Sequence, residues 1–296
     1  MRIFQFAVSA IVASSFLAGA ASAKDAQLEQ AKAIFDWVSG TQDGIMSPKI
    51  EVRRENSDDL DSPMGVYATD TIEVEETIMK VPWSVIITPD DLHEPSSQLM
   101  CGTVRSVARE MRLGVHSKYA PYAMYLNGEV DAQIPSVWSR PGQELFMEIV
   151  QGDTIPPENA VSWIGGDWFQ RCGGDPDDEF GIKAALLVLQ RADDAFMIPA
   201  YDHINHRNGN WTNTVTESEP GEYQWTTASK TIQAGEQIYS SYNLCEECGG
   251  RQYGYGTAGK FHHENYYDVF GIRKFLSTKE RHSVSIFLDF LFIFTV

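Results

Sequence analysis

The spacing of apolar and polar residues divides this chain into two β-rich blocks with a helical block between them. Apolar residues recur at helical intervals across residues 28–38, which predicts an N-terminal helix. Short β-rich runs broken by Pro, Gly and Asp fill residues 48–88, the pattern turns helical over residues 97–191, and β character returns from Phe196. We therefore predict an α+β fold of several small β-sheets, built from distant parts of the chain, with a helical insert between the two β-rich blocks.

These changes of pattern, together with the two termini, divide the chain into five segments. We assign 1–23 to a signal peptide, 24–96 to the N-terminal helix and first β-block, 97–191 to the helical insert, 192–256 to the second β-block and 257–296 to a divergent C-terminal tail. The strands are expected at Ile50–Arg53, Gly65–Thr69, Thr77–Val81, Ser84–Thr88, Phe196–Pro199, Tyr223–Ala228 and Gln237–Tyr242.

The N-terminus has the pattern of a secretory signal peptide. Arg2 precedes an apolar run of small and branched residues over 3–20, and residues 21–23, Ala-Ser-Ala, have the form of a cleavage site. A membrane anchor is the alternative, but the run is short for a membrane-spanning helix and ends at Lys24. We expect a protein of the secretory pathway, lumenal or secreted, with no stable membrane span after cleavage.

The chain is acidic, with a formal net charge of -18. A nucleic-acid partner is disfavoured, because binding phosphates requires a positively charged surface. A basic protein or peptide substrate would be attracted to such a surface, although acidity also serves simply to keep proteins soluble.

Four cysteines leave several arrangements open. An even number in a secreted chain permits two disulfides with three pairings of Cys101, Cys172, Cys245 and Cys248. The Cys245-Glu-Glu-Cys248 sequence also suits a redox pair or half of a zinc site, which would need further ligands such as His262, His263 or Cys172. We favour disulfides or free thiols for this pair, and we predict no metal in the functional site.

Three segments of the chain contain the candidate residues for binding and catalysis. They are Met64-Gly65-Val66-Tyr67-Ala68-Thr69, Ile198-Pro-Ala-Tyr-Asp-His-Ile-Asn-His206 and Ala234-Gly-Glu-Gln-Ile-Tyr-Ser-Ser-Tyr-Asn243. In this order, and with a helical insert after the first, they resemble the SET-domain protein methyltransferases, in the branch typified by the Rubisco large-subunit lysine methyltransferase. The resemblance covers about residues 35–256.

The resemblance implies S-adenosyl-L-methionine as the cofactor and assigns six residues to its binding site. The backbone around Met64 and Gly65 would contact the cofactor, and Asn205 and His206, with Asp202 on the same loop, would hold it from the other side. A sixth residue, Arg191, matches an arginine that in relatives faces the cofactor carboxylate.

The same resemblance makes Tyr242 the catalytic residue. Its hydroxyl would orient the acceptor amine beside the transferring methyl group. Two positions depart from the family pattern: Pro63 replaces the first glycine of the Gly-x-Gly strand, and Asn243 replaces the glycine after the tyrosine. Relatives continue into a helical substrate-binding domain, whereas here the resemblance fades after Gly256.

The predicted function is therefore protein-lysine N-methylation, with histidine as a variant acceptor. Two alternatives remain open. One is a non-catalytic SET-fold binding module of the secretory pathway, and the other is a metal-dependent hydrolase that uses Asp202, His203 and His206. Asn210-Trp211-Thr212 is the only Asn-x-Ser/Thr sequence in the chain, and it lies four residues after His206.

Overall fold

The computed structural model describes residues 26–60, 62–93, 96–129, 139–141, 163–193, 195–207 and 209–241. The predicted N-terminal helix is present as α1, residues 26–39. Its apolar face is buried at the predicted spacing, at Ala31, Ile34, Phe35 and Val38. The signal-peptide segment and residues 242–296 lie outside the described residues.

The strands of the described chain form three small sheets. In chain order they are β1 Ile45–Met46, β2 Ile50–Arg54, β3 Met64–Ala68, β4 Thr77–Pro82, β5 Asn205–His206, β6 Thr214–Glu219, β7 Tyr223–Ala228 and β8 Tyr239–Ser240. The largest sheet has the order β1-β4-β7-β6 and is antiparallel, β2 pairs with β3, and β5 pairs with β8. Sheets built from both β-rich blocks confirm that distant parts of the chain combine.

The segment between β4 and β5 is mainly helical. It contains α2 Ser96–Leu113, α3 Ala120–Gly128, a π-helical stretch Trp163–Arg171 and α4 Glu179–Arg191. Short 3₁₀ turns occur at Trp83–Val85, Gly114–His116, Tyr201–His203 and Gly209–Trp211. Among the described residues, no helix has both the length and the apolar character needed to cross a bilayer.

The helical segment and the sheets share one apolar core. Buried side chains from α1, the sheets, α2, α3 and α4 belong to a single cluster, which includes Ile34, Ile78, Val107, Leu126 and Leu187. Burying a side chain of this size contributes roughly 1.5–3 kcal/mol. The insert is therefore held rigidly against the β-blocks, and its last helix leads directly into the loop before β5.

Two predicted strands are absent from the structure. In the run Ser84–Thr88, the first two residues belong to the 3₁₀ turn Trp83–Val85, because the chain turns after Pro82 and the Ile86 amide donates to the Trp83 carbonyl at 3.1 Å. In the run Phe196–Pro199, Phe196 and Met197 form only isolated bridges, to Asp193 and Ile87. In contrast, β6 was not predicted. Its sequence, Thr-Val-Thr-Glu-Ser-Glu, is polar because it is an edge strand whose last three residues are exposed.

A disulfide joins Cys101 on α2 to Cys172, the residue that follows the π-helical stretch. The two Cα atoms are 5.4 Å apart and the residues are 71 positions apart in the sequence. Of the pairings left open by the sequence, this one ties two parts of the insert together. Cys245 and Cys248 lie beyond the described part of the chain.

Candidate functional site

The start of β3 and the end of the second segment are in direct contact. The side-chain amide of Asn205 donates a hydrogen bond to the Met64 carbonyl at 3.0 Å, across 141 residues of sequence. Gly65 lies against the same amide, since a Cβ atom at position 65 would lie 2.9 Å from Asn205 Nδ2 and would also overlap the Gln237 side chain. A larger residue at this position would therefore displace the Gln237 side chain and press on the Asn205 amide.

The third segment runs beside β3. The Gly235 amide donates to the Ala68 carbonyl at 2.7 Å, the Ala68 amide donates to Glu236 at 2.9 Å, and Ile238 donates to Val66 at 2.8 Å. Gly235 has a φ of +87°, a value that glycine adopts without steric cost. The Gly-Glu-x-Ile sequence thus enters the site through a glycine turn and then pairs with the Met64–Ala68 strand.

The second and third segments are also paired with each other. β5 lies parallel to β8, with Asn205 opposite Tyr239 and His206 opposite Ser240, and the Arg207 amide donates to the Ser240 carbonyl at 3.1 Å. Asn205 therefore lies where β3 and β8 meet. The predicted catalytic residue, Tyr242, follows two residues after β8 and lies outside the described residues.

Asn213 holds this junction from the other side, in a role that no sequence pattern predicted. Its side-chain oxygen accepts from the Tyr239 amide at 2.7 Å, and its side-chain nitrogen donates to the Gln237 carbonyl at 2.9 Å. The residue is 5% exposed. A buried Asn that satisfies two backbone groups of one strand fixes the position of that strand.

Arg191 lies in a buried network of charged and phenolic groups. Its guanidinium donates to Asp202 at 3.1 Å, to Glu129 at 2.6 Å and to the Tyr125 hydroxyl at 3.2 Å. The Tyr122 hydroxyl donates to the same Asp202 oxygen at 2.9 Å. This network joins the end of α4, the end of α3 and the turn before β5, so that it anchors the loop that carries Asn205.

Within this network, Arg191 and Glu129 hold each other in their charged forms. Burial by itself lowers the pKa of Arg191, but the facing Glu129 and Asp202 together raise it well above its usual value. Burial would raise the pKa of Glu129, yet the Arg191 charge brings it below its usual value. Burial and the Asp202 charge raise the pKa of Tyr122 well above its usual value, so this phenol stays protonated.

His203 lies on the same turn and is buried among aromatic rings. Its ring centroid is 5.0 Å from that of Tyr125 and 5.9 Å from that of Phe35. Burial lowers the pKa of His203 below its usual value, while the Asp202 charge acts in the opposite direction. His203 Nε2, Asp202 Oδ1 and Arg191 Nε have no hydrogen-bond partner among the described residues, and the first two lie 3.9 Å apart.

The predicted site residues thus occupy two adjoining places. Met64, Gly65, Asn205 and His206 lie together where β3, β5 and β8 meet, whereas Arg191 and Asp202 belong to the buried network behind the loop. Sequence reasoning missed the partners on α3 and at Glu129, the residue that follows it. The signal for them was available, because Tyr122, Tyr125 and Glu129 recur at helical spacing on one face.

The hydrolase alternative requires a group of metal ligands. Within the described ranges, no three His, Cys, Asp or Glu side chains are arranged to hold a metal ion. Asp202, His203 and His206 are all buried, and the first two face the Arg191 network. The described residues thus give the hydrolase alternative no metal site to act through.

The family model described as SET domain matches residues 64–243, more than half of the chain. The chain belongs to the SET-domain family. The match begins at Met64 and ends just past Tyr242, so this SET domain includes all three segments from which the resemblance was drawn. The predicted α+β SET-type fold is confirmed. No curated protein matches the chain.

Several solved structures resemble this SET domain. They include the SET domain of LSMT bound to lysine and AdoHcy, at 16% identity, a TM-score of 0.45 and coverage of 73% of this chain and 54% of that one. Rubisco LSMT bound to sinefungin and monomethyllysine is 19% identical, with a TM-score of 0.45 and coverage of 72% and 53%. Rubisco LSMT bound to AdoMet has the same identity and coverage, and a TM-score of 0.47. The SET-domain chain spans about half the length of these proteins.

Proposed function

We propose that this protein is an S-adenosyl-L-methionine-dependent protein-lysine N-methyltransferase. The observation that carries the proposal is the contact of Asn205 with Met64 at 3.0 Å, at the point where β5 pairs with β8. Three segments far apart in the chain are thereby joined into one structure, and the chain continues from β8 directly to Tyr242. Membership of the SET-domain family supports the same reaction and the same cofactor.

The residues at this junction suit the proposed cofactor. A ligand with an adenosine, a sulfonium and an amino-acid end needs backbone polar groups and close approach of the chain, which a glycine permits. Gly65 provides that approach, and Met64 and Asn205 are both partly exposed beside it. When bound, the cofactor supplies an electrophilic methyl group on its sulfonium sulfur.

Arg191 and Asp202 have a more indirect part in this proposal. Both terminal nitrogens of Arg191 already contact carboxylates, Asp202 and Glu129, and its side chain is 12% exposed. The remaining nitrogen, Nε, is buried and has no hydrogen-bond partner among the described residues. Arg191 and Asp202 therefore act on the cofactor by holding the loop on which Asn205 and His206 are placed.

The acceptor amine must lose a proton before it can attack. Deprotonating a lysine near neutral pH costs about 4 kcal/mol relative to its model value, and a partly desolvated channel reduces this cost. We assign to the Tyr242 hydroxyl the orientation of that amine toward the methyl group. The acidic character of the chain favours a basic protein or peptide as the substrate.

A location in the secretory pathway completes the proposal. The pattern of residues 1–23 supports it, and so does the Cys101–Cys172 disulfide, because disulfides persist in oxidising compartments. Secretion from cultured cells, followed by N-terminal sequencing, tests this part. A mature chain that begins at Lys24 is the expected result, and a chain that retains Met1 in the cytosol contradicts it.

Calorimetric titration of the purified protein with S-adenosyl-L-methionine tests cofactor binding. We expect Gly65→Ala to weaken binding by about tenfold, or about 1.4 kcal/mol, because the added methyl group pushes aside the Asn205 and Gln237 amides beside the proposed site. Gly165→Ala is the matched control, because a Cβ atom there meets nothing within 4 Å. No binding by the wild-type protein, with circular dichroism confirming that it is folded, would overturn the proposal.

Methyl transfer to a peptide array separates an enzyme from a binding module. We expect Tyr242→Phe to bind the cofactor as the wild type does and to lower kcat about 100-fold, as the loss of a transition-state donor does in other enzymes. The non-catalytic alternative is favoured by Pro63, which has no N–H to offer a ligand. Cofactor binding without transfer to any peptide, unchanged in Tyr242→Phe, would establish that alternative.

A further inference from the structure

The Asn-x-Thr sequence at Asn210 lies on an exposed turn beside the site. Gly209–Trp211 form a single 3₁₀ turn between β5 and β6. Asn210 is exposed, and 63% of the Trp211 surface is exposed. Such a turn presents the Asn210 amide to solvent, which is the geometry of a modified surface loop in a secreted protein.

The Asn210 side chain takes no part in holding the turn. Among the described residues its amide has no hydrogen-bond partner, and only its backbone carbonyl is used, as acceptor for Lys230. The turn is held by its neighbours, since the Thr212 hydroxyl donates to the Arg207 carbonyl and Asn213 binds the strand that contains Tyr239. A bulky group on the Asn210 amide therefore displaces none of these contacts.

We propose that Asn210 carries an N-linked glycan. In this step the Asn210 Nδ2 forms a bond to C1 of an oligosaccharide carried on a lipid diphosphate. The bond from C1 to the diphosphate oxygen breaks, the lipid diphosphate leaves, and the amide gives up one proton. The inference rests on the proposed passage through the secretory pathway and is independent of methyl transfer.

The glycan would stand next to the site without entering it. The Arg207 guanidinium carbon lies 5.2 Å from the ring centroids of both Trp211 and Tyr239. The turn that carries Asn210 is therefore joined to β8 through the Arg207 side chain. Arg207 directly follows His206. The carbohydrate is thus placed where a large protein substrate would approach β8.

Expression of the full chain in secreting eukaryotic cells tests the proposal. Treatment with an amidase that removes N-glycans is expected to lower the apparent mass of the wild-type protein on gel electrophoresis by the mass of one glycan. The same treatment is expected to convert Asn210 to Asp in its tryptic peptide. Thr212→Ser keeps the acceptor sequence and is expected to keep the shift. Asn210→Gln and Thr212→Val are expected to abolish it.

A reporter variant distinguishes failure at Asn210 from failure to enter the lumen. Asp58→Thr creates an Asn-x-Thr sequence at Asn56, and residues 56–58 are exposed in the described structure. In the Asn210→Gln background this variant is glycosylated if the chain enters the lumen. A shift in the reporter without one in the wild type overturns the Asn210 site itself. Absence of both shifts overturns the secretory location and the glycan together, and leaves the methyltransferase proposal untouched.

Discussion

Burial is the main influence on the pKa of His203. This histidine is 4% exposed, and the charged groups that face it are Asp202, Glu129 and Arg191. Because burial lowers the pKa of His203 in the folded protein, the unfolded chain binds a proton more readily than the folded one. The stability that the neutral ring contributes is complete above about pH 6.5 and is lost as the pH falls toward the folded pKa.

We therefore expect His203→Gln to flatten the pH dependence of stability. The free energy of unfolding, measured with denaturant at several values between about pH 5 and 7, should fall less steeply with acid than in the wild type. His116→Gln is the matched control, because that histidine is exposed. Equal slopes for the wild type and His203→Gln would contradict the assignment.

The backbone conformation and burial at position 200 restrict which side chains fit there. Ala200 has a φ of +67° immediately before the turn Tyr201–His203, and it is completely buried. A β-branched residue at positive φ is strained, and extra methyl groups have no space there. We expect Ala200→Val to lower the free energy of unfolding by about 2 kcal/mol or more.

Ala200→Gly separates the two causes in the same denaturation experiment. Glycine adopts positive φ freely and adds no volume, so this variant should differ little from the wild type. A loss in Ala200→Gly as large as that in Ala200→Val would show that neither strain nor crowding at this turn matters.

At the scale of the elements, the Arg191 network holds three of them together. α3 contributes Tyr122 and Tyr125 and is followed directly by Glu129, α4 ends at Arg191, and the turn before β5 contributes Asp202. Removing the cation leaves two buried carboxylates without compensation. We expect Arg191→Leu to cost roughly 3–5 kcal/mol of unfolding free energy.

The exposed pair of Lys32 and Glu29 gives the comparison. Lys32→Leu removes an ion pair of 2.7 Å between two exposed side chains, and such pairs contribute about 1 kcal/mol or less. Urea denaturation of both variants measures the difference. Similar losses in the two would mean that the buried network does not anchor the loop.

The elements also show how far the sequence could lead. Helical periodicity predicted α1, and short β-rich runs predicted β2, β3, β4 and β7. α1, β2 and β7 bury mainly one face, whereas β3 and β4 are buried on both faces, and in each case the apolar residues mark the burial. β6 was not predicted, because an exposed edge strand contains few apolar residues. The contact of Asn205 with Met64 was expected only through the resemblance, since a hydrogen bond across 141 residues leaves no local pattern.

At the scale of the whole molecule, the disulfide constrains the insert. By the entropy of loop closure, linking residues 71 positions apart contributes about 4 kcal/mol. We expect reductant to lower the denaturation midpoint of the wild type and to leave that of the Cys101→Ala, Cys172→Ala double variant unchanged. The Cys245→Ala, Cys248→Ala variant should keep the sensitivity of the wild type, and loss of sensitivity there would contradict the assignment.

The pairing of β5 with β8 has a consequence for translation. A ribosome makes β3 first and β5 much later, and β8 emerges after both, at roughly 5–20 residues per second. A nascent chain that stops short of Ser240 already contains Met64 and Asn205 but lacks the strand against which β5 is aligned. The junction at which we propose that the methyl donor binds is therefore completed only when Ser240 has emerged from the ribosome, later than Asn210.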